Sequence, residues 1–269
     1  MGMSTNLNPT MNVTLHSPAF WRDRLKASAI HLAVSLVIAA LAAALVFGVW
    51  YPYPYREISG GRELFLLLVS VDVVLGPLIT LAVFNRKKSL TELKRDLLIV
   101  VLLQLGALGY GLWTVSVARP VHLVFEIDRF RVVHAIDIAP EMLSKAPANV
   151  EPLPLTGPTQ LAVRPFNSSQ EGMDATLAAV QGAQLAFRPD LWQPYADAIP
   201  RILKAALPAQ SLKDKFADRA TEIDSLLSAA GAKSDNVVYL PLVGRNNFWT
   251  VFLDARDARV IATMPLDPF

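Results

Sequence analysis

The stretch "LFLLLVSVDVVLGPLITLAVF", residues 64–84, is 21 residues long and contains a single charged side chain, Asp72. A helix rises about 1.5 Å per residue, so about 20 apolar residues cross a hydrocarbon core about 30 Å thick. Two other runs meet that length, residues 27–50 and 97–118, and neither carries a formal charge. Over the 269 residues, 53% are hydrophobic and the mean hydropathy is +0.37, too apolar for an ordinary soluble protein. The reading is therefore a membrane protein with three transmembrane helices. There is no cysteine, which excludes disulfides and thiolate chemistry. A net charge of +2 argues against a nucleic-acid partner.

A cleaved signal peptide is the competing reading of the first run. Signal cores are about 7–15 residues and end at small residues. This run is longer and ends in "WYPYPY", residues 50–55. Lys and Arg favour the cytoplasmic side. Eight of them (Arg22, Arg24, Lys26, Arg86, Lys87, Lys88, Lys94 and Arg95) lie before the first run or between the second and third. Only two, Arg56 and Arg62, lie between the first and second. The pattern predicts a cytoplasmic N-terminus and a C-terminal region outside the cytoplasm, in the periplasm of a Gram-negative host. Trp50, Tyr51, Tyr53 and Tyr55 read as an interfacial aromatic belt on a short anchoring loop, and "SGG" (59–61) as its turn. Residues 1–20 carry no Asp, Glu, Lys or Arg and read as disordered, with Met1, Met3 and Met11 as alternative starts. Residues 21–118 then form the three-helix membrane domain.

From residue 119 to 269 there are 15 basic and 17 acidic residues, the composition of a soluble domain. "VHLVFEIDRFRVVHAIDI" (121–138) reads as a hairpin turning at Asp128-Arg129, its first strand half-buried. A Pro-rich crossing loop, 146–158, leads to a strand over 160–166. Helices are predicted over 172–183, 198–207 and 220–231, then strands over 237–243, 248–254 and 259–264. This order predicts an α+β domain with helices on one face of an antiparallel sheet.

No metal-ligand spacing, nucleophile elbow or phosphate loop is present, which leaves a non-enzymatic role with no cofactor or metal. His122 and His134 are placed to face each other across the hairpin, as a surface pair. A charge in mid-membrane costs at least about 2.5–3.5 kcal/mol and faces a bundle interior as a rule. Asp72, Gly76 and Thr80 recur every fourth residue on one face, and Pro77 cannot donate to the carbonyl of Val73. Counting residues outward puts Asp72 and Tyr110 at matching depth, with Gln104 deeper, and predicts an Asp72–Tyr110 hydrogen bond between spans brought close by Gly106, Gly109 and Gly111. The stripe is then either an internal tie or a docking face for another membrane helix. With no second carboxylate or histidine at that depth, little supports a proton relay. Ala39/Ala43 and Ala40/Ala44 offer a further packing face.

The order of these pieces resembles the type IV pilin accessory proteins of the TfpX/TfpZ kind. The resemblance rests on "AIHLAVSLVIAAL", the W-Y-P block, the S-G-G turn, the D-x-x-x-G-P span and "RPVHLVFEIDRFRVVHAIDI". It is strongest from Trp21 to Ile138. It implies a multi-pass inner-membrane protein that stabilises or modulates a cognate major pilin, with other inner-membrane pilus assembly proteins and membrane lipid as further partners. The Asp72/Gly76 stripe would meet the pilin helix and the C-terminal domain the pilin head. The alternative is a membrane-anchored periplasmic sensor, or a subunit of another envelope assembly.

Overall fold

The computed structural model describes residues 18–85 and 88–269. Most of the segment expected to be disordered, and Arg86 and Lys87 of the basic loop, lie outside the described residues. The chain divides into two compact units. One comprises the described residues up to Ala44 together with Leu64–Thr114; the other comprises Leu45–Glu63 and Val115–Phe269.

The first unit is helical. Helix α1 (Pro18–Leu45) continues as a π-helical turn, Val46–Trp50. The short α2 (Tyr55–Ile58) belongs to the second unit. The second long helix is built from α3 (Gly61–Ser70), a π turn (Val71–Leu75) and α4 (Gly76–Val83). Helix α5 spans Leu90–Val117. Three helical stretches, Trp21–Trp50, Gly61–Val83 and Leu90–Val117, are long and apolar enough to cross a membrane. Their outer faces expose Val37, Leu41, Leu67 and Leu103, which suits lipid and not water.

The second unit holds one sheet. Its strands are β1 (Pro120–Glu126), β2 (Arg129–His134), β3 (Thr159–Val163), β4 (Trp192–Pro194), β5 (Leu207–Pro208), β6 (Val237–Val243), β7 (Phe248–Asp254) and β8 (Val260–Met264). The order is β4-β3-β1-β2-β6-β7-β8, with β5 added on β6. Besides α2, four helices accompany it: α6 (Ser169–Val180), α7 (Ile199–Ala205), α8 (Ala209–Lys215) and α9 (Ala220–Ala229). The α+β class holds, and β6 and β7 occupy their expected residues. The sheet is mixed, however, because β3 joins β1 in parallel and β6 joins β2 in parallel. A parallel neighbour requires a crossover, and crossovers cover sheet faces. The Pro-rich loop is such a crossover, carrying the chain from β2 past β1 to β3.

Both faces of the sheet are therefore covered, where one had been expected. Leu123, Phe125, Leu240, Leu242, Val251 and Leu253 point to one face and pack against α7 through Ile202. On the other face, Val124 and Leu161 pack with Ala175 of α6, while Tyr239 and Phe252 pack with Leu212 of α8 and Ile223 of α9. Every residue of β1 is buried, so it is a central strand and not a half-buried one.

The loop between the first two long helices also enters this core. Ile58 is 1% exposed and lies in the same cluster as Phe125 and Trp249, with Tyr55 packed beside it. A Cβ on Gly244 would sit 2.5 Å from Ile58 Cγ1 and 2.9 Å from its carbonyl, so only glycine lets the two backbones meet. Tyr51 is fully buried; its hydroxyl donates to the Val115 carbonyl at 3.2 Å, and burial pushes its pKa up. The Gly157 N–H donates to the Val49 carbonyl at 2.9 Å, tying the crossover to this loop. The aromatic-belt reading thus fails for Tyr51 and Tyr55. Trp50 is half-buried, and only Tyr53, at 58% exposure, stands free, with the Arg56 guanidinium 5.6 Å from its ring.

The hairpin histidines do not form a surface pair. Both are buried, and His122 pairs with Val133 while His134 pairs with Pro120. His122 Nδ1 lies 2.7 Å from Thr159 Oγ1 and Nε2 lies 3.0 Å from the Pro152 carbonyl. A carbonyl only accepts, so the ring is the Nε2–H tautomer and the Thr159 hydroxyl donates to Nδ1. Burial lowers its pKa to about 4. His134 Nδ1 bonds the Asp137 carboxylate at 2.9 Å.

Two outcomes follow. Truncating Ile58→Ala in the full chain should cost roughly 2–5 kcal/mol, the range for a buried large-to-small change, and chemical denaturation of the second unit should show it. The unfolded chain protonates His122 near pH 6.5 whereas the folded chain resists until about 4. Stability should therefore fall as pH drops through that window, by on the order of 3 kcal/mol, and level off below it. A denaturation series in His122→Gln should lose that slope.

Candidate functional site

The polar side chains of the helical unit converge on one seam. Arg24, Ser28, His31 and Ser35 follow one another at spacings of four, three and four residues, which places them on one face of α1. Opposite runs the second long helix, antiparallel. Arg24 Nη1 donates to the Leu81 carbonyl at 3.2 Å, and the Ser28 hydroxyl to the Pro77 carbonyl at 2.9 Å. His31 Nδ1 lies 2.5 Å from Thr80 Oγ1. Asp72, Gly76, Pro77 and Thr80 are all buried, so the stripe read from the sequence faces inward, onto the chain's own helices.

The π turn explains which backbone group needs help. Its i→i+5 series would next take a donor from residue 77 for the Asp72 carbonyl, and Pro77 has none. The side-chain amide of Gln104 supplies it, from Nε2 to Asp72 O at 3.3 Å. Gln104 approaches so closely because residue 76 is glycine. A Cβ there would collide with the Gln104 amide and come within 3.2 Å of His31 Nε2.

Tyr110 is not the partner of Asp72. It is 69% exposed on the outer side of α5, its ring 5.8 Å from that of Trp113. Depth was the wrong coordinate. Six residues turn a helix through about 600°, which leaves Tyr110 about 240° round from Gln104. Gln104, Leu108 and Gly111 form the inward face instead. Of the three glycines expected to bring α5 close, Gly111 does so against Leu68, while a Cβ on Gly106 or Gly109 would meet nothing. Ala40 and Ala44 are exposed, and Ala42 is the buried alanine of that segment.

A cavity of about 120 Å³ remains at the centre of this seam. His31, Ser35, Asp72 and Gln104 line it, with an apolar rim that includes Val34, Val101 and Leu105. Asp72 is 9% exposed, and its Oδ1 has no hydrogen-bond partner. His31, from the first apolar run, shares the cavity with it, although the sequence had suggested no histidine near Asp72. The signal that locates His31 is the four-three-four spacing of polar residues in α1, which hydropathy averaging hides.

The comparisons with known proteins bear on the whole chain. A fimbrial assembly protein, serogroup I, from Dichelobacter nodosus is 37% identical over 246 residues, covering 91% of this chain and 95% of the relative. The chain belongs to the fimbrial assembly protein family. The serogroup E1 relative of this fimbrial assembly family, from the same organism, is 35% identical over the same coverage. The relative for serogroups C1 and C2 is 43% identical over 121 residues, 45% of this chain and 92% of its own length. The family model of fimbrial assembly protein FimB matches residues 19–60, which hold both the polar face of α1 and the loop that enters the sheet core. No solved structure matches.

Two substitutions separate the roles within the seam. Thr80→Val removes the bond to His31 and should cost about 0.5–2 kcal/mol, the range for interhelical bonds in membranes. Gly76→Val should do far more damage, because its side chain displaces Gln104 from the Asp72 carbonyl. Accumulation of the protein in membranes, and its thermal unfolding in detergent, should rank wild type above Thr80→Val and Thr80→Val above Gly76→Val.

Proposed function

We propose that this fimbrial assembly protein is a non-catalytic, multi-pass inner-membrane accessory factor for type IV pili that stabilises or modulates one cognate major pilin. The observation that carries this reading is the near full-length similarity to fimbrial assembly proteins that bear separate serogroup names. Serogroup-specific names suit a factor matched to one form of the fimbrial subunit. The basic residues flanking the first and third helices support a cytoplasmic N-terminus and a periplasmic sheet domain. Other inner-membrane pilus assembly proteins are further candidate partners.

The architecture suits a pilin that waits in the membrane before assembly. Because the Asp72/Gly76 stripe is occupied by the protein's own helices, the pilin's membrane helix would dock on an outer face of the bundle. The pilin head would meet the sheet domain. There β8 is an edge strand, and among the described residues no other strand pairs with its outer side. Open edges are sites for strand-to-strand contact.

Deletion tests the assignment. Without this protein, pilin abundance and surface piliation should fall several-fold with the native pilin, and change less when a different pilin allele is expressed. Equal values with and without the protein, for both alleles, would refute it.

A further inference from the structure

The central cavity of the helical unit contains a chemical contradiction. A carboxyl group in a membrane needs a proton, a donor or a counter-charge. Asp72 Oδ1 receives no donor from the chain. The Gln104 amide is spent on the Asp72 backbone carbonyl, and His31 Nδ1 is spent on Thr80. His31, Ser35 and Gln104 line the cavity beside Asp72. A buried water requires two to four polar partners and room for at least one probe sphere. The lining is mostly apolar, with Asp72, His31, Ser35 and Gln104 as its polar members, and the volume of about 120 Å³ exceeds that of one probe sphere.

The charged surroundings are sparse. From α1, His31 faces the cavity, and Arg24 lies about two turns away, bonded to the Leu81 carbonyl. Helix α5 presents only uncharged groups between Leu97 and Val117, and Asp96 below them is paired with Lys88. The second long helix adds no ionisable group but Asp72 between Leu64 and Val83.

We propose that this cavity is an intramembrane water and proton site, in which bound water links the Asp72 carboxyl to the His31 imidazole and the two side chains hold one proton between them. With one proton the pair is net neutral, as carboxylic acid and imidazole or as carboxylate and imidazolium. Removing that proton leaves a net negative site, and adding a second leaves a net positive one. Both cost more in a low-dielectric surrounding, so the singly protonated pair is the favoured state. The proton's position also reaches the helix contact. Imidazolium must donate Nδ1–H to the Thr80 oxygen, whereas the neutral Nε2–H tautomer accepts from the Thr80 hydroxyl.

Infrared spectroscopy of the full chain in lipid nanodiscs tests this, with the aspartate carboxyl carbons isotopically labelled. Wild type should show a protonated-carboxyl stretch that titrates, together with an O–H stretch that shifts in isotopically heavy water. Asp72→Asn should remove the carboxyl band, which assigns it. His31→Gln should move its midpoint by at least one pH unit, a tenfold change in proton affinity. A midpoint unmoved by His31→Gln would overturn the shared proton. Absence of an exchangeable water band in wild type, as when a lipid chain fills the cavity, would overturn the hydration. If Asp72→Asn does not fold, Asp72→Glu assigns the band instead, since it keeps a carboxyl there but removes the labelled aspartate signal.

Discussion

Proline 77 has no N–H to give, and inside a hydrocarbon layer no water makes up the loss. Every backbone acceptor there must find a donor within the protein. The second long helix answers with a π turn, which moves the unmet need onto the Asp72 carbonyl. Gln104 meets it, and can do so because Gly76 has no side chain in the way. The Pro77 carbonyl in turn takes the Ser28 hydroxyl. One missing hydrogen thus accounts for the glycine beside it and the glutamine in α5. The carboxyl of Asp72 stands outside this exchange, which separates it from the purely architectural groups around it.

The sheet domain depends on a different constraint. Its central strands are buried on both sides, so each face must be covered by something. Helices α6, α8 and α9 serve one face. The other is shared between α7 and the loop carrying Tyr55 and Ile58. Covering a sheet with a segment that begins and ends in long apolar helices makes the domain discontinuous in sequence.

Length and hydropathy made the three long helices legible, because crossing hydrocarbon imposes a count that any reader can make. The strands β6 and β7 were legible as apolar, β-rich runs set between turn residues. The parallel pairings were not, since strand order depends on contacts between distant segments. The short β4 and β5 carry too few residues for a periodic signal. At the candidate site, Asp72, Gly76, Pro77 and Thr80 could be read as one face because helical spacing fixes azimuth within a helix. Their partner could not be read from depth, because azimuth between helices depends on how each is rotated. Tyr110 has the right height and the wrong side. Gln104 and His31 have the right side. The loop tyrosines misled for another reason: an aromatic residue suits a membrane interface and a protein core equally well, and composition does not separate the two.

The packing of Ile58 against Gly244 also sets a schedule. Synthesis proceeds at about 5–20 residues per second, so roughly 10–40 s separate the emergence of these two residues from the ribosome. During that interval the loop has only the β1–β3 part of its sheet face to cover, and its contacts with β6 and β7 wait for the end of the chain. The Ile58–Gly244 contact closes a loop of nearly two hundred residues, a separation in sequence of the kind that slows folding. The loop that follows the first helix thus completes its packing only when the last strands have been made.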